Sequence, residues 1–92
     1  MELKWLKDFV ALSEHGSFSK AAEARFVTQP AFSRRIRILE EWVGAQLFIR
    51  GSHPITLTPA GSRFRPVAEE VLIHLDEGRK NARRDAENYE NI

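Results

Sequence analysis

Apolar residues recur at helical spacing over residues 2–15, where Leu3, Leu6, Phe9 and Val10 form one stripe that Trp5 and Leu12 widen. Gly16 stops that helix, because a residue without Cβ enters positive φ without a clash. Ser17, or alternatively Ser19, caps a second short helix over about 18–25. Ala21 and Ala22 lie in it, small enough to let another helix approach closely. Phe26 and Val27 are expected to form the turn that follows and to bury against the core. Thr28 then caps a third helix, and Pro30 is tolerated in its first turn, where its missing N–H has no intrahelical partner. Phe32, Ile36, Leu39 and Val43 repeat along one side of this helix, while Ser33, Arg34 and Arg37 take the other. Gly44 ends it.

After the third helix the period changes. Leu47-Phe48-Ile49-Arg50 and Ile55-Thr56-Leu57 are β-prone runs around Gly51-Ser52-His53-Pro54, which predicts a small hairpin over 47–57. A hairpin behind a helix-turn-helix is a wing. Thr58 and Pro59 restart a helix, one capping and the other presetting φ. From there to about Tyr89, Phe64, Val67, Val71, Leu75, Gly78 and Ala82 share a face that Ala68 and Leu72 broaden. Pro66 should kink this long helix near its start, and the charged stretch after Gly78 should fray. The first 58 residues are too few to cover such a rod, so its apolar stripe calls for a partner, most simply a second copy. The predicted fold is mainly α: a winged helix-turn-helix over 1–58, with three helices and a short hairpin wing, then a linker and dimerisation helix over 59–92.

Ninety-two residues allow one domain, and 42% apolar residues with six Phe and two Trp can build a small core. Without Cys there is neither a disulfide framework nor a thiolate zinc site. No apolar run approaches the roughly 20 residues of a membrane span, and no signal-peptide pattern opens the chain, so a soluble intracellular protein is expected. The net charge of +1 hides an uneven distribution. Residues 1–58 hold eight basic and six acidic side chains, residues 59–92 six and seven, and 25–37 hold four Arg and no acid. Cationic character is thus concentrated around the third helix, whose outer face suits the DNA major groove.

The ordered series Phe9, Gly16-Ser17-Phe18, Ala21-Ala22, Thr28-Gln29-Pro30-Ala31-Phe32-Ser33-Arg34, Ile36-Arg37, Leu39-Glu40, Gly44, Leu47-Phe48, Arg50, Leu57-Thr58 and Ala60-Gly61 resembles the N-terminal DNA-binding domain of LysR-type transcriptional regulators. The match spans Leu3 to about Leu75. The resemblance implies sequence-specific duplex binding by a homodimer, for transcriptional regulation in the bacterial cytoplasm at the nucleoid. It implies that linker helices of two subunits pack antiparallel, with a tetramer in a full-length form, and that the target is an interrupted palindrome. Such regulators usually continue into an effector-binding domain, which is absent from these 92 residues, so a fragment of a longer regulator is expected. The wing departs from the pattern: His53 stands where a second basic residue is usual, and the turn is short.

On that footing Gln29, in the first turn of the reading helix, can donate to and accept from an adenine edge. Pro30 can touch a thymine methyl or simply initiate the helix. Ser33, one turn on, allows close approach to base or phosphate. Arg34 can clasp a guanine edge or a phosphate. Arg37 either reaches phosphate or pairs with Glu40 or Glu41 along the helix. Arg35 points sideways and is expected to have no role at the duplex. Arg50 is the wing residue for a narrow minor groove. Thr28, Ser17 and Lys20 can donate to phosphates, and capping by Thr28 and Ser17 is compatible with that. Phe64, Val67, Val71, Leu72 and Leu75 are the expected dimerisation residues. Trp5, Phe9, Phe18, Phe26, Phe32, Ile36, Leu39 and Phe48 are assigned to the core.

No nucleophile and base stand in motif context, and no phosphate-binding glycine loop is present, so an enzyme is not expected. His15, His53 and His74 lack ligand spacing, so neither metal nor cofactor is expected. A winged-helix module that docks a protein through the same helix is the competing reading.

Overall fold

Local chemistry sets the helix boundaries. The computed structural model describes residues 1–91. Helix α1 (Leu3–His15) ends on Gly16 at φ 64°, in the left-handed region. The Ser17 hydroxyl accepts from the Lys20 N–H and opens α2 (Phe18–Ala24). Thr28 accepts from the Ala31 N–H and opens α3 (Gln29–Val43), which closes on Gly44 at φ 88°. The wing pairs β1 (Phe48–Ile49) with β2 (Thr56–Leu57) antiparallel, with Phe48 opposite Leu57 and Ile49 opposite Thr56. Thr58 caps α4 (Pro59–Glu90) by accepting from the Gly61 N–H. The architecture is mainly helical, a winged helix-turn-helix followed by one long helix.

The core lies where the three short helices, the wing root and the start of α4 meet. Leu6, Phe9 and Leu12 of α1 are buried against Ala21 and Ala22, against Phe32, Ile36 and Leu39, and against Leu47 and Phe48. Phe9 is central, with its ring 5.3 Å from that of Phe48 and 5.2 Å, edge-on, from that of Phe64. The alanines keep α2 close to its neighbours, as their size suggests. Phe26 departs from the sequence expectation: it is 94% exposed, at φ 58°. Val27 alone turns inward, because positive φ at Phe26 swings its Cβ away from the body.

Helix α4 runs without interruption through Pro66 and Gly78 to Glu90. Beyond Gly78, where fraying is expected, the segment is helical. Asp76 accepts from Lys80 at 2.9 Å and Arg79 at 3.2 Å, so ion pairs bridge the glycine. Hydrogen bonds from Lys80 and then Arg79 hold the Asp76 carboxyl below its ordinary pKa. Gly61 and Ala68 are buried, and Phe64 and Leu72 pack half-buried on the same core. Val67, Val71 and Leu75 stay exposed beside them. The helix, about 48 Å long at 1.5 Å per residue, gives the molecule extents of 58 × 26 × 20 Å.

Candidate nucleic-acid interface

Helix α3 buries Phe32, Ile36, Leu39 and Glu40, which leaves its opposite face to solvent. Two rows at i, i+4 spacing cross that face: Gln29, Ser33 and Arg37 in one, Pro30 and Arg34 in the other. All are exposed except Ser33, which is half-buried. Thr28 and Lys20 are exposed beside them, and Ser17 is half-buried at its capping position. Gln29, Pro30, Ser33, Arg34 and Arg37 therefore share one face of α3, with Thr28 at its N-terminus, while Ser17 caps α2 and Lys20 lies in its first turn.

The four arginines between 25 and 37 divide into two pairs. Arg25 Nε and Arg35 Nη2 both donate to Asp8 Oδ1, at 2.8 and 2.7 Å. Asp8 is fully buried in α1, so its charge is compensated from the α2–α3 turn and from α3 together. Its Oδ2 and the Arg35 Nε are buried without a hydrogen-bond partner. Arg34 and Arg37, in contrast, have no ion-pair partner among the described residues. The cationic footprint legible in the chain is thus carried outward by Arg34 and Arg37 alone.

Among the described residues Arg37 pairs with neither Glu40 nor Glu41, and Glu40 turns instead to the wing. The Glu40 carboxylate accepts from the Leu47 and Phe48 N–H groups at 2.7 and 3.4 Å. It also accepts from Arg50 Nη1 at 3.2 Å and Nη2 at 2.5 Å. The Arg50 guanidinium lies 5.7 Å from the centroid of the Phe18 ring. Arg50 is therefore engaged at the wing root, bound to α3 through Glu40, with its side chain still partly exposed. A two-oxygen acceptor close by in a half-buried site outweighs solvation of the guanidinium. At the wing turn, Ser52 donates to the Ile49 carbonyl at 3.0 Å and His53 is exposed. A groove of about 490 Å³ runs between α3 and the wing, lined by Arg37, Glu41, Gln46 and Arg50 among others.

Asp8 and Glu40 were not identified from the chain as structural centres. Each had a weak signal, since each carries an acid within or beside an apolar stripe: Asp8 next to Phe9, Glu40 between Leu39 and Val43. Their partners lie 17, 27 and 10 residues away, beyond any local pattern. Among the described residues no group of three His, Cys, Asp or Glu side chains is placed to hold a metal ion. No helix among them is long and apolar enough to cross a membrane.

Residues 3–62 match the family described as bacterial regulatory helix-turn-helix protein, lysR family. The chain is 46% identical over 77 residues to the HTH-type transcriptional regulator BenM of Acinetobacter baylyi, covering 84% of this chain and 25% of BenM. It is 45% identical over 82 residues to the uncharacterized regulator YbhD of Escherichia coli, covering 89% of this chain and 26% of that protein. It spans about a quarter of the length of these curated relatives. Among solved structures, BenM_DBD in complex with catB site 1 DNA superposes with a TM-score of 0.93 at 42% identity, covering 97% of this chain and 96% of that one. Vibrio fischeri DarR in complex with DNA gives 0.92 at 48% identity, covering 95% of this chain and 30% of DarR. A family match over residues 3–62, carried on a winged helix-turn-helix whose third helix presents an uncovered polar face, places this chain in the lysR family of bacterial helix-turn-helix regulators.

Proposed function

We propose that this chain is a sequence-specific duplex-DNA-binding module of a transcriptional regulator. Helix α3 enters the major groove, with Gln29, Pro30, Ser33 and Arg34 at base edges and Arg37 on phosphate. Thr28, Ser17 and Lys20 meet the backbone. Arg50 holds the wing to α3 through Glu40, and the turn that carries half-buried Ser52 and exposed His53 is the part of the wing nearest the minor groove. The observation that carries this reading is the pair Arg34 and Arg37, unpartnered among the described residues on the outer face of a capped helix. Relatives of 42% and 48% identity that present the same fold to DNA support it.

The working form is a homodimer joined by α4 through Val67, Val71 and Leu75, reading an interrupted palindrome. In a full-length form a tetramer is open to it. Its place is the cytoplasm, at the nucleoid. Phosphate contact makes affinity fall steeply with salt, with a slope of about −0.9 per neutralised phosphate on a log–log plot. Anisotropy titrations of labelled duplexes between about 50 and 200 mM salt test the reading. A chain that ignores duplexes of every sequence at low salt removes it. In-vitro selection of bound sequences would supply the half-site and its symmetry.

A further inference from the structure

The turn between α2 and α3 is a Schellman motif with an unusual occupant. The Val27 N–H donates to the Ala22 carbonyl and the Phe26 N–H to the Glu23 carbonyl, both at 3.1 Å. This is the six-to-one and five-to-two pattern that closes a helix C-terminus, and it requires a left-handed residue at the position Phe26 fills. Glycine is the usual residue there, and Phe carries a steric penalty at φ 58°. The hydrophobic contact that accompanies such a motif is made by Val27, which packs on the core. Arg25, just before, is pinned by Asp8 at 2.8 Å. The turn is thus closed and anchored without help from the Phe26 ring, which remains 94% exposed. A strained, solvent-facing aromatic contributes nothing evident to folding, and strain of this kind points to use at an interface.

What the ring meets follows from its surroundings. Phe26 stands two residues before the Thr28 cap of α3. It shares a shallow depression with His15, Lys20, Glu23 and Ala24. Lys20 belongs to the surface assigned above to the duplex backbone, so the ring is continuous with that surface. We propose that Phe26 is a further DNA-contacting residue, packing its ring on apolar duplex surface beside the reading helix: a thymine C5-methyl or the neighbouring deoxyribose. This rests on the DNA-binding reading and extends it to a residue outside α3.

Phe26→Asn and Phe26→Gly, compared with the unaltered 92-residue chain, test the proposal. Both substitutes suit positive φ, so both variants should melt a few degrees higher. Both should bind a duplex recovered by selection roughly tenfold more weakly, the order expected for loss of an aromatic apolar contact. The same duplex is then titrated with each thymine replaced in turn by deoxyuridine. If the partner is a methyl, the unaltered chain loses about threefold at one thymine per half-site, and the variants do not. If the partner is a sugar, the variants lose affinity equally on all these duplexes. Variants that bind as tightly as the unaltered chain overturn the proposal, as do variants that melt lower, since the ring would then be part of the fold. An unaltered chain that binds no duplex fails earlier, at the DNA-binding reading itself.

Discussion

On α3, Arg34 points to solvent, while Arg35, one residue later and about 100° round the helix, reaches the buried Asp8. Their substitution by alanine should therefore separate two phenotypes. Arg34→Ala should weaken specific binding by at least about 1 kcal/mol, the lower end for a bidentate base contact, with no change in melting. Arg35→Ala should leave Arg25 alone to compensate Asp8. Loss of one charge-assisted hydrogen bond to a buried carboxylate amounts to about 2 kcal/mol, or roughly 10 °C in a domain of this size. Thermal melts and anisotropy titrations of the two variants check this. An Arg34→Ala variant with unchanged affinity would sink the base-contact role. Both arginines stand in one basic run in the chain, and only the helical phase together with a distant Asp8 tells them apart.

At the scale of elements, the decisive joint is where α4 leaves the wing. The Thr58 N–H donates to the Leu47 carbonyl at 3.0 Å, and its hydroxyl donates to the Gln46 carbonyl at 2.6 Å. One turn later Gly61 is buried, and a Cβ there would collide with the Leu47 carbonyl oxygen and come within 2.9 Å of Leu57 Cδ2. The start of the long helix is thus in backbone contact with the residues that lead into β1, and in side-chain contact with Leu57 of β2. Alanine favours a helix interior over glycine by up to about 1 kcal/mol, but displacing a backbone carbonyl by overpacking costs about 1–3 kcal/mol. Gly61→Ala should therefore destabilise by about 2 kcal/mol. Gly78→Ala, on the same helix, meets nothing within 4 Å. It should stabilise by about 0.5–1 kcal/mol. Denaturant melts of the two variants should move in opposite directions, and a shift of the same sign in both would contradict this packing. Glu40 makes the second joint, tying α3 to β1 and its flanks through Leu47, Phe48 and Arg50.

For the molecule as a whole, α4 is in part core and in part free surface. Phe64, Ala68 and Leu72 face the body, so two of the residues expected at a seam between copies are already partly covered by their own chain. Val67, Val71 and Leu75 remain half exposed along the rod, and a second copy is the partner proposed for them. Leu75→Glu should leave the melting of the isolated body unaffected, because Leu75 is 52% exposed. It should also place a charge in the intermolecular seam, which is unfavourable without a partner. Sedimentation should then report a monomer, and an unaltered dimer would count against that seam.

Local rules were enough for much of this molecule. The caps at Ser17, Thr28 and Thr58, the left-handed stops at Gly16 and Gly44, and the helical stripes all depend on residues within one or two turns of each other. Those contacts form wherever the chain is helical, so they can be read in one dimension, and the outward face of α3 follows from its phase. Phe26 marks the limit: its hydrophobicity argued for burial, but closure of the α2–α3 turn put it at positive φ and turned it out. The fates of Arg25, Arg35 and Arg50 were likewise decided by Asp8 and Glu40, acids distant along the chain that only folding brings within 3 Å of them. A guanidinium can be solvated by water, bound to a phosphate or paired with a buried carboxylate. Its charge is written in the chain, whereas its partner is settled by which opposite charge the assembled core cannot leave unpaired.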